Sequence, residues 1–166
     1  MMVHALSIFL LISTVLLMAG CSGSSEPTAT NSAPRTSPSK TFKFSGASME
    51  PSLHDGDKVK ALAVNRELRR GDVVVFTMPG RPGSTLVKRI IGLPTETIEI
   101  KEGQVIINGV NLNEPYIMEP PSYSLEPTLI PDKSYFILGD NRNQSKDSHN
   151  FGAVPLANIQ YIVEIK

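Results

Sequence analysis

Three short stretches of this chain carry side chains able to do acyl-transfer chemistry. Ser48 lies in Gly46-Ala47-Ser48-Met49-Glu50-Pro51-Ser52-Leu53, and Lys88 in Leu86-Val87-Lys88-Arg89-Ile90-Ile91-Gly92. Arg142, Ser145 and Asp147 share Gly139-Asp140-Asn141-Arg142-Asn143-Gln144-Ser145-Lys146-Asp147-Ser148. A serine hydroxyl is a weak nucleophile until a neighbouring base takes its proton. Lysine is the base on offer: period-two alternation sends Lys88 and Arg89 to opposite faces of an apolar strand, so at least one of them abuts packed atoms. Surrounded by apolar groups, an amine is destabilised in its charged form, its pKa falls, and it can accept a proton. Small residues at 46 and 47 let a substrate backbone come close, and Pro51 biases Glu50 away from helical dihedrals. That turn can expose the Ser48 hydroxyl and aim its backbone N–H at a developing oxyanion. Taken singly, the stretches have plainer readings, a polar loop ahead of a strand and a basic pair guarding an edge strand. Ser45 and Ser52 are alternative hydroxyls that nothing local excludes.

Other chemistries find less support. His4 falls in the leader, His54 follows the serine segment too closely for a triad, and His149 sits in a polar loop. His54-Asp55 and Asp147-His149 lack a third ligand at useful spacing, so neither a metal nor another cofactor is expected. Cys21 is the one cysteine, outside the expected folded region, which leaves no disulfide framework and no thiolate metal site. The 166 residues balance to a formal charge of +0, with no electrostatic footprint for nucleic acid.

The elements that must hold these residues are strands. Thirteen prolines, twelve glycines and 6% aromatic residues describe a strand-and-turn protein rather than a helical bundle. Thr41-Phe42-Lys43-Phe44-Ser45 alternates, Lys58 to Val64 alternates imperfectly, and Asp72-Val73-Val74-Val75-Phe76-Thr77 is a β-branched and aromatic run between Gly71 and Pro79. Further strands are expected at 85–91, 97–101, 104–107, 134–138 and 160–165, with turns at Glu102-Gly103 and Asn108-Gly109. Short helical turns are expected at 66–69 and 155–159. Five prolines make 113–132 an irregular excursion, and no internal repeat is visible. The fold class is mainly β: a compact antiparallel sheet, coiled or partly closed to protect its edges.

Ahead of this body, residues 1–21 form an apolar leader or membrane anchor. Ala5 to Ala19 is interrupted only by Ser7, Ser13 and Thr14 and runs into Leu17-Met18-Ala19-Gly20-Cys21. This is a secretory h-region, short for a span of about 20 residues. Its end resembles a lipoprotein signal in which Cys21 becomes the lipidated first residue. Lipidation, an uncleaved anchor and ordinary secretion all put the remainder outside the cytoplasm, and the first two tether it to membrane lipid. Residues 22–40, built from Ser, Thr, Pro, Gly, Ala and Asn, cannot bury enough surface to offset the entropy of ordering and read as a flexible stalk. The folded, catalytic part is 41–166.

The three stretches, in this order, resemble the signatures of type I signal peptidases, the membrane-associated serine peptidases that cut signal peptides from exported proteins. Lys88-Arg89-Ile90-Ile91-Gly92-Leu93-Pro94 matches the lysine segment, and Phe151-Gly152 continues the third signature. The resemblance covers about 41–166 and implies a Ser/Lys dyad in a β fold: Ser48 attacks the scissile carbonyl, Lys88 is the general base, and the Ser48 N–H is the oxyanion donor. It also assigns Ser145 to orienting the lysine amine and Asp147 to the polar network. A carboxylate directly against Lys88 would favour its protonated form, so Asp147 is expected one step back, organising its loop through Arg142 or backbone groups, with Ser145 nearest the amine. Some relatives carry a hydroxyl two residues before the nucleophile, where this chain has Gly46.

Substrate would lie as an extended peptide beside an exposed strand, with small residues one and three places before the cut. Phe42, Phe44 and Met49 are candidates for that groove or for a lipid-facing surface. Departures from the pattern are Pro94-Thr95-Glu96 in place of a proline-glycine-aspartate turn, Ser52 where threonine is frequent, His149 where arginine is common, a compact 94–139 segment, and the lipidation signal. The expected partners are exported precursor proteins and membrane lipid, with no nucleic acid and no obligate protein partner. Two other functions fit the same residues: a restricted peptidase maturing a pilus or conjugation component, and a noncatalytic extracytoplasmic peptide-binding lipoprotein.

Overall fold

A computed structural model describes residues 38–165. The leader, Cys21 and most of the proposed stalk lie outside the described residues. The strands are β1 (Ser39–Lys43), β2 (Lys58–Ala63), β3 (Val73–Thr77), β4 (Thr85–Gly92), β5 (Thr97–Lys101), β6 (Gln104–Ile107), β7 (Val110–Asn111), β8 (Leu125–Leu129), β9 (Ser134–Leu138), β10 (Val154–Pro155) and β11 (Ile159–Val163). They build a seven-stranded sheet in the order β1-β2-β11-β3-β4-β9-β10 and a four-stranded sheet in the order β7-β6-β5-β8. Every pairing is antiparallel. The mainly β antiparallel body is as expected, and neither sheet closes on itself.

Alternation along β3 shows how the larger sheet is covered on both sides. Val73 and Val75 join one core cluster with Met49, Leu53, Val59 and Ala61, while Val74 and Phe76 join another with Ile90, Ile137, Val154 and Ile159. Burial on both faces explains why β3 reads as an unbroken apolar run. A third cluster, including Ile98, Ile100, Val105 and Ile130, joins the smaller sheet to Ile91, Phe136 and Leu138 of β4 and β9.

Three expectations change. Residues 66–69 form no helix: Arg66 grips the Asp72 carboxylate with two bonds of 2.8 Å, and Arg69 N–H donates to the same carboxylate at 2.8 Å, which ties the segment into a bend. The excursion at 113–132 contains β8, paired with β5 at the edge of the smaller sheet, where Pro127 removes no needed ladder bond. Helical structure appears after β9 instead, as a 3-10 turn at Arg142–Gln144 and the one-turn helix α1 (Ser148–Phe151). Asp147 caps α1, accepting from His149 N–H, while the Asn150 side chain accepts from Asp147 N–H. The 3-10 turn Leu156–Asn158 lies within the expected 155–159.

The register of β4 leaves part of one edge unpaired. β4 pairs with β3 from Thr85 to Arg89, but with β9 only from Arg89 to Gly92. On the β9 side, Thr85 to Lys88 therefore lack a neighbouring strand.

Candidate active site

Ser48 borders that gap, lining one cleft with Thr85 to Lys88. Its carbonyl accepts from Asn141 N–H at 3.3 Å, just past the end of β9. The loop bearing it is pinned before and after. Phe44 N–H donates to the Asp57 carbonyl at 2.7 Å, Gly46 N–H donates to Asp55 Oδ1 at 2.8 Å, and Leu53 N–H donates to the Met49 carbonyl at 2.9 Å. Met49 is fully buried in the core, which anchors the residue after the serine and removes it from the proposed groove or lipid-facing surface. The Ser48 N–H has no acceptor among the described residues, so it is available to a substrate oxygen.

Lys88 and Arg89 alternate as expected, facing Val74 and Val73 of β3, and both are buried, at 3% and 9% exposure. Lys88 Nζ donates to Ser48 Oγ at 2.7 Å and to the Val87 carbonyl at 2.9 Å. Burial pushes its pKa down from 10.5 to about 8, against the upward pull of the Asp147 and Asp140 carboxylates. The alternative hydroxyls are placed elsewhere: Ser52 Oγ accepts from Arg89 at 3.1 Å, and Ser45 is exposed, near the Asp55 carboxyl that it helps to keep acidic.

The third stretch converges on Gly139 rather than on the amine. Asp147 Oδ2 accepts from Gly139 N–H at 2.9 Å and Arg142 Nε donates to the Gly139 carbonyl at 3.0 Å. Asp147 thus organises the loop through backbone groups and does not bond Lys88 directly. Its other oxygen lies 2.7 Å from His149 Nδ1, and that ring stacks on Tyr123 with centroids 4.0 Å apart. Ser145 departs from expectation: its Oγ is buried with no hydrogen-bond partner among the described residues, instead of bonding the amine. It sits beside Ser48 all the same, because a Cβ built on Gly139 would collide with both Ser145 Oγ and the Ser48 carbonyl. Only glycine permits that approach.

Two arginines complete the surroundings. Arg89 holds the Asp140 carboxylate with bonds of 2.8 and 2.6 Å, and Arg142 holds that of Glu114 with bonds of 2.8 and 2.6 Å. Sequence reasoning missed Glu114. Its only signal was an acid in Asn113-Glu114-Pro115-Tyr116, inside a stretch that carried no strand pattern.

A cleft of about 220 Å³ opens at Ser48 and Lys88, walled by Phe42, Phe44, Val75, Leu86 and Val87. Phe42 and Phe44 lie where a groove was expected. Larger hollows of about 490 and 540 Å³ include neither Ser48 nor Lys88. No group of three metal-ligating side chains occurs among the described residues. This arrangement provides a hydroxyl against a buried amine, a free N–H beside it, and a small, largely apolar cleft.

The chain belongs to the signal peptidase family, peptidase S26, whose profile matches residues 2–165. It is 41% identical over 122 residues to the signal peptidase I of Leptolyngbya laminosa, covering 68% of this chain and 60% of the relative. Against the signal peptidase I of Bacillus licheniformis it is 36% identical over 122 residues, 66% of this chain and 65% of the other. The chain spans 54–65% of the length of these and similar bacterial relatives. A crystal structure of a signal peptidase I from Enterococcus faecalis V583 superposes with a TM-score of 0.51 at 33% identity, covering 60% of this chain and 98% of that one.

Proposed function

We propose that the protein is an endopeptidase that removes N-terminal signal peptides from exported precursor proteins through an acyl-enzyme on Ser48. The observation that carries this reading is the 2.7 Å contact between the Ser48 hydroxyl and an amine buried to 3% exposure. Family membership supplies the reaction class. With the amine neutral, the Ser48 O–H donates to the Nζ lone pair. Ser48 Oγ attacks the scissile carbonyl carbon as its proton passes to Lys88, and the new oxyanion meets the Ser48 N–H. Collapse breaks the C–N bond, and Lys88 returns the proton to the departing amino group of the mature protein. Water then attacks the ester, Lys88 accepts a proton again, and the signal peptide leaves as a carboxylate with Ser48 restored.

The cleft's limited volume fits the small side chains such a cut demands. The unpaired edge of Thr85 to Lys88 offers main-chain bonds to an extended substrate. Arg142 and Asp147 hold Gly139 from its two ends and so support the nucleophile's back wall, with Ser145 packed against it. In this reading the apolar leader, through Cys21 lipidation or as an anchor, keeps the catalytic head at the extracytoplasmic face of a membrane. Among the described residues no helix is long and apolar enough to cross a bilayer. The test is cleavage of a purified exported precursor by the full chain and by Ser48→Ala. Turnover should vanish in the variant, and cleavage surviving there would assign the reaction to another residue.

A further inference from the structure

Residues 113–122, which link β7 toward β8, touch the loop after β9 repeatedly. The Glu114 and Arg142 side chains, 4% and 0% exposed, form their two-pronged pair there. Tyr116 donates its hydroxyl to Glu114 Oε1 at 3.0 Å and lays its ring 4.2 Å from the Arg89 guanidinium. Met118 N–H donates to the Asp140 carbonyl at 3.1 Å. Asn143 donates to Glu119 and to the Pro120 carbonyl at 2.9 and 3.1 Å, while its Oδ1 accepts from Ser122 N–H and Oγ, both at 2.8 Å.

These contacts are distributed in a telling way. Arg89 follows Lys88 on β4, and Arg142 holds the Gly139 carbonyl beside Ser48. The strand carrying the amine and the post-β9 loop backing the hydroxyl thus each bear a buried guanidinium, and Tyr116 with Glu114 touches both. A buried ion pair is weak evidence of stabilisation, because desolvating two charges can cost as much as their attraction returns. What a two-pronged pair and a stacked ring supply reliably is geometry. We infer that Glu114 and Tyr116 are positioning residues for Ser48 and Lys88, a strap that sets the spacing between the strand carrying the amine and the loop backing the hydroxyl. This rests on the proposed reading of Ser48 as nucleophile and Lys88 as base.

Loosening the strap should let the two segments drift and admit water to the amine. The variants are Glu114→Gln, which keeps shape but removes the charge facing Arg142, and Tyr116→Phe, which keeps the ring over Arg89 but removes the hydroxyl bond. The full chain is assayed on a fluorogenic signal-peptide substrate across pH, alongside wild type, Ser48→Ala and a thermal melt. In Glu114→Gln, kcat should fall about tenfold or more, since misplacing reacting groups by about 1 Å can cost about 100-fold. KM should stay within about twofold, because the substrate cleft is untouched. The rising limb of the pH profile should shift upward, a response that lost stability alone would not produce. Tyr116→Phe should move both readouts the same way by less, and it decides alone if Glu114→Gln does not fold. An unchanged kcat with an unmoved limb overturns the strap. Cleavage by Ser48→Ala would instead overturn the nucleophile assignment.

Discussion

Lowering the pH from about 9 to about 6 recharges the Lys88 amine, and the rate of Ser48 acylation should fall with it. With a pKa near 8, about one molecule in ten carries the neutral amine at pH 7, whereas a lysine at 10.5 would offer about three in ten thousand. Burial therefore raises the competent fraction about 300-fold, equivalent to roughly 3 kcal/mol. Burial is the dominant cause, and Asp147 and Asp140 work against it. The single-turnover rate on a signal-peptide substrate should climb about tenfold per pH unit below about 8 and level off above it. Asp147→Asn, which keeps an oxygen to cap α1 but deletes one attraction, should move the break to lower pH. A rate that is flat from about pH 6 to 9 would refute the assignment of Lys88 as base, and one that rises through about pH 10 without a break near 8 would refute the lowering of its pKa by burial.

The same burial costs stability. The native chain releases the Lys88 proton near pH 8 and the unfolded chain holds it to 10.5, so between those values the unfolded state binds more protons and stability climbs with pH. Below about 8 the penalty stands in full, and Lys88→Met should raise unfolding stability at pH 7 by about 1–3 kcal/mol in urea titrations while abolishing turnover. A less stable Lys88→Met would show that the amine's bonds to Ser48 and Val87 outweigh its desolvation. Gly139→Ala should destabilise by about 1–3 kcal/mol and depress acylation together, because its Cβ must displace Ser145 or the Ser48 carbonyl. Wild-type acylation in that variant would show that the back wall yields without moving the nucleophile.

The central strands were readable because burial on both faces writes itself as composition: Val73-Val74-Val75-Phe76 admits little else. β8 was not, since Pro127 interrupts Leu125–Leu129 and an edge position that tolerates proline leaves no separate mark in sequence. Asp72 made 66–69 a bend by accepting bonds from the Arg66 side chain and the Arg69 N–H at the two ends of that segment, a local competition that helical propensity does not register. Ser48 and Lys88 could be paired on chemistry, but the gap in which they meet depends on where β9 stops pairing with β4. Ser145 shows the converse: the family resemblance put its hydroxyl on the amine, yet it packs on Gly139 unpartnered. Glu114 finds Arg142 across 28 intervening steps of chain, a distance that no periodicity encodes.

Gly46 bears on how such a site can change over evolutionary time. Its φ is +95° and a Cβ there would meet nothing within 4 Å, so room for a side chain exists while the backbone disfavours one. The same turn presents the Gly46 N–H to Asp55, and that bond is the first cause holding the Asp55 carboxyl below its usual range. One codon could install a serine at 46, but that residue would have to adopt a left-handed backbone or disturb the turn that holds the bond to Asp55. A hydroxyl gained at that position would thus come with backbone strain in the loop before Ser48, a cost that further substitutions in the turn would have to relieve.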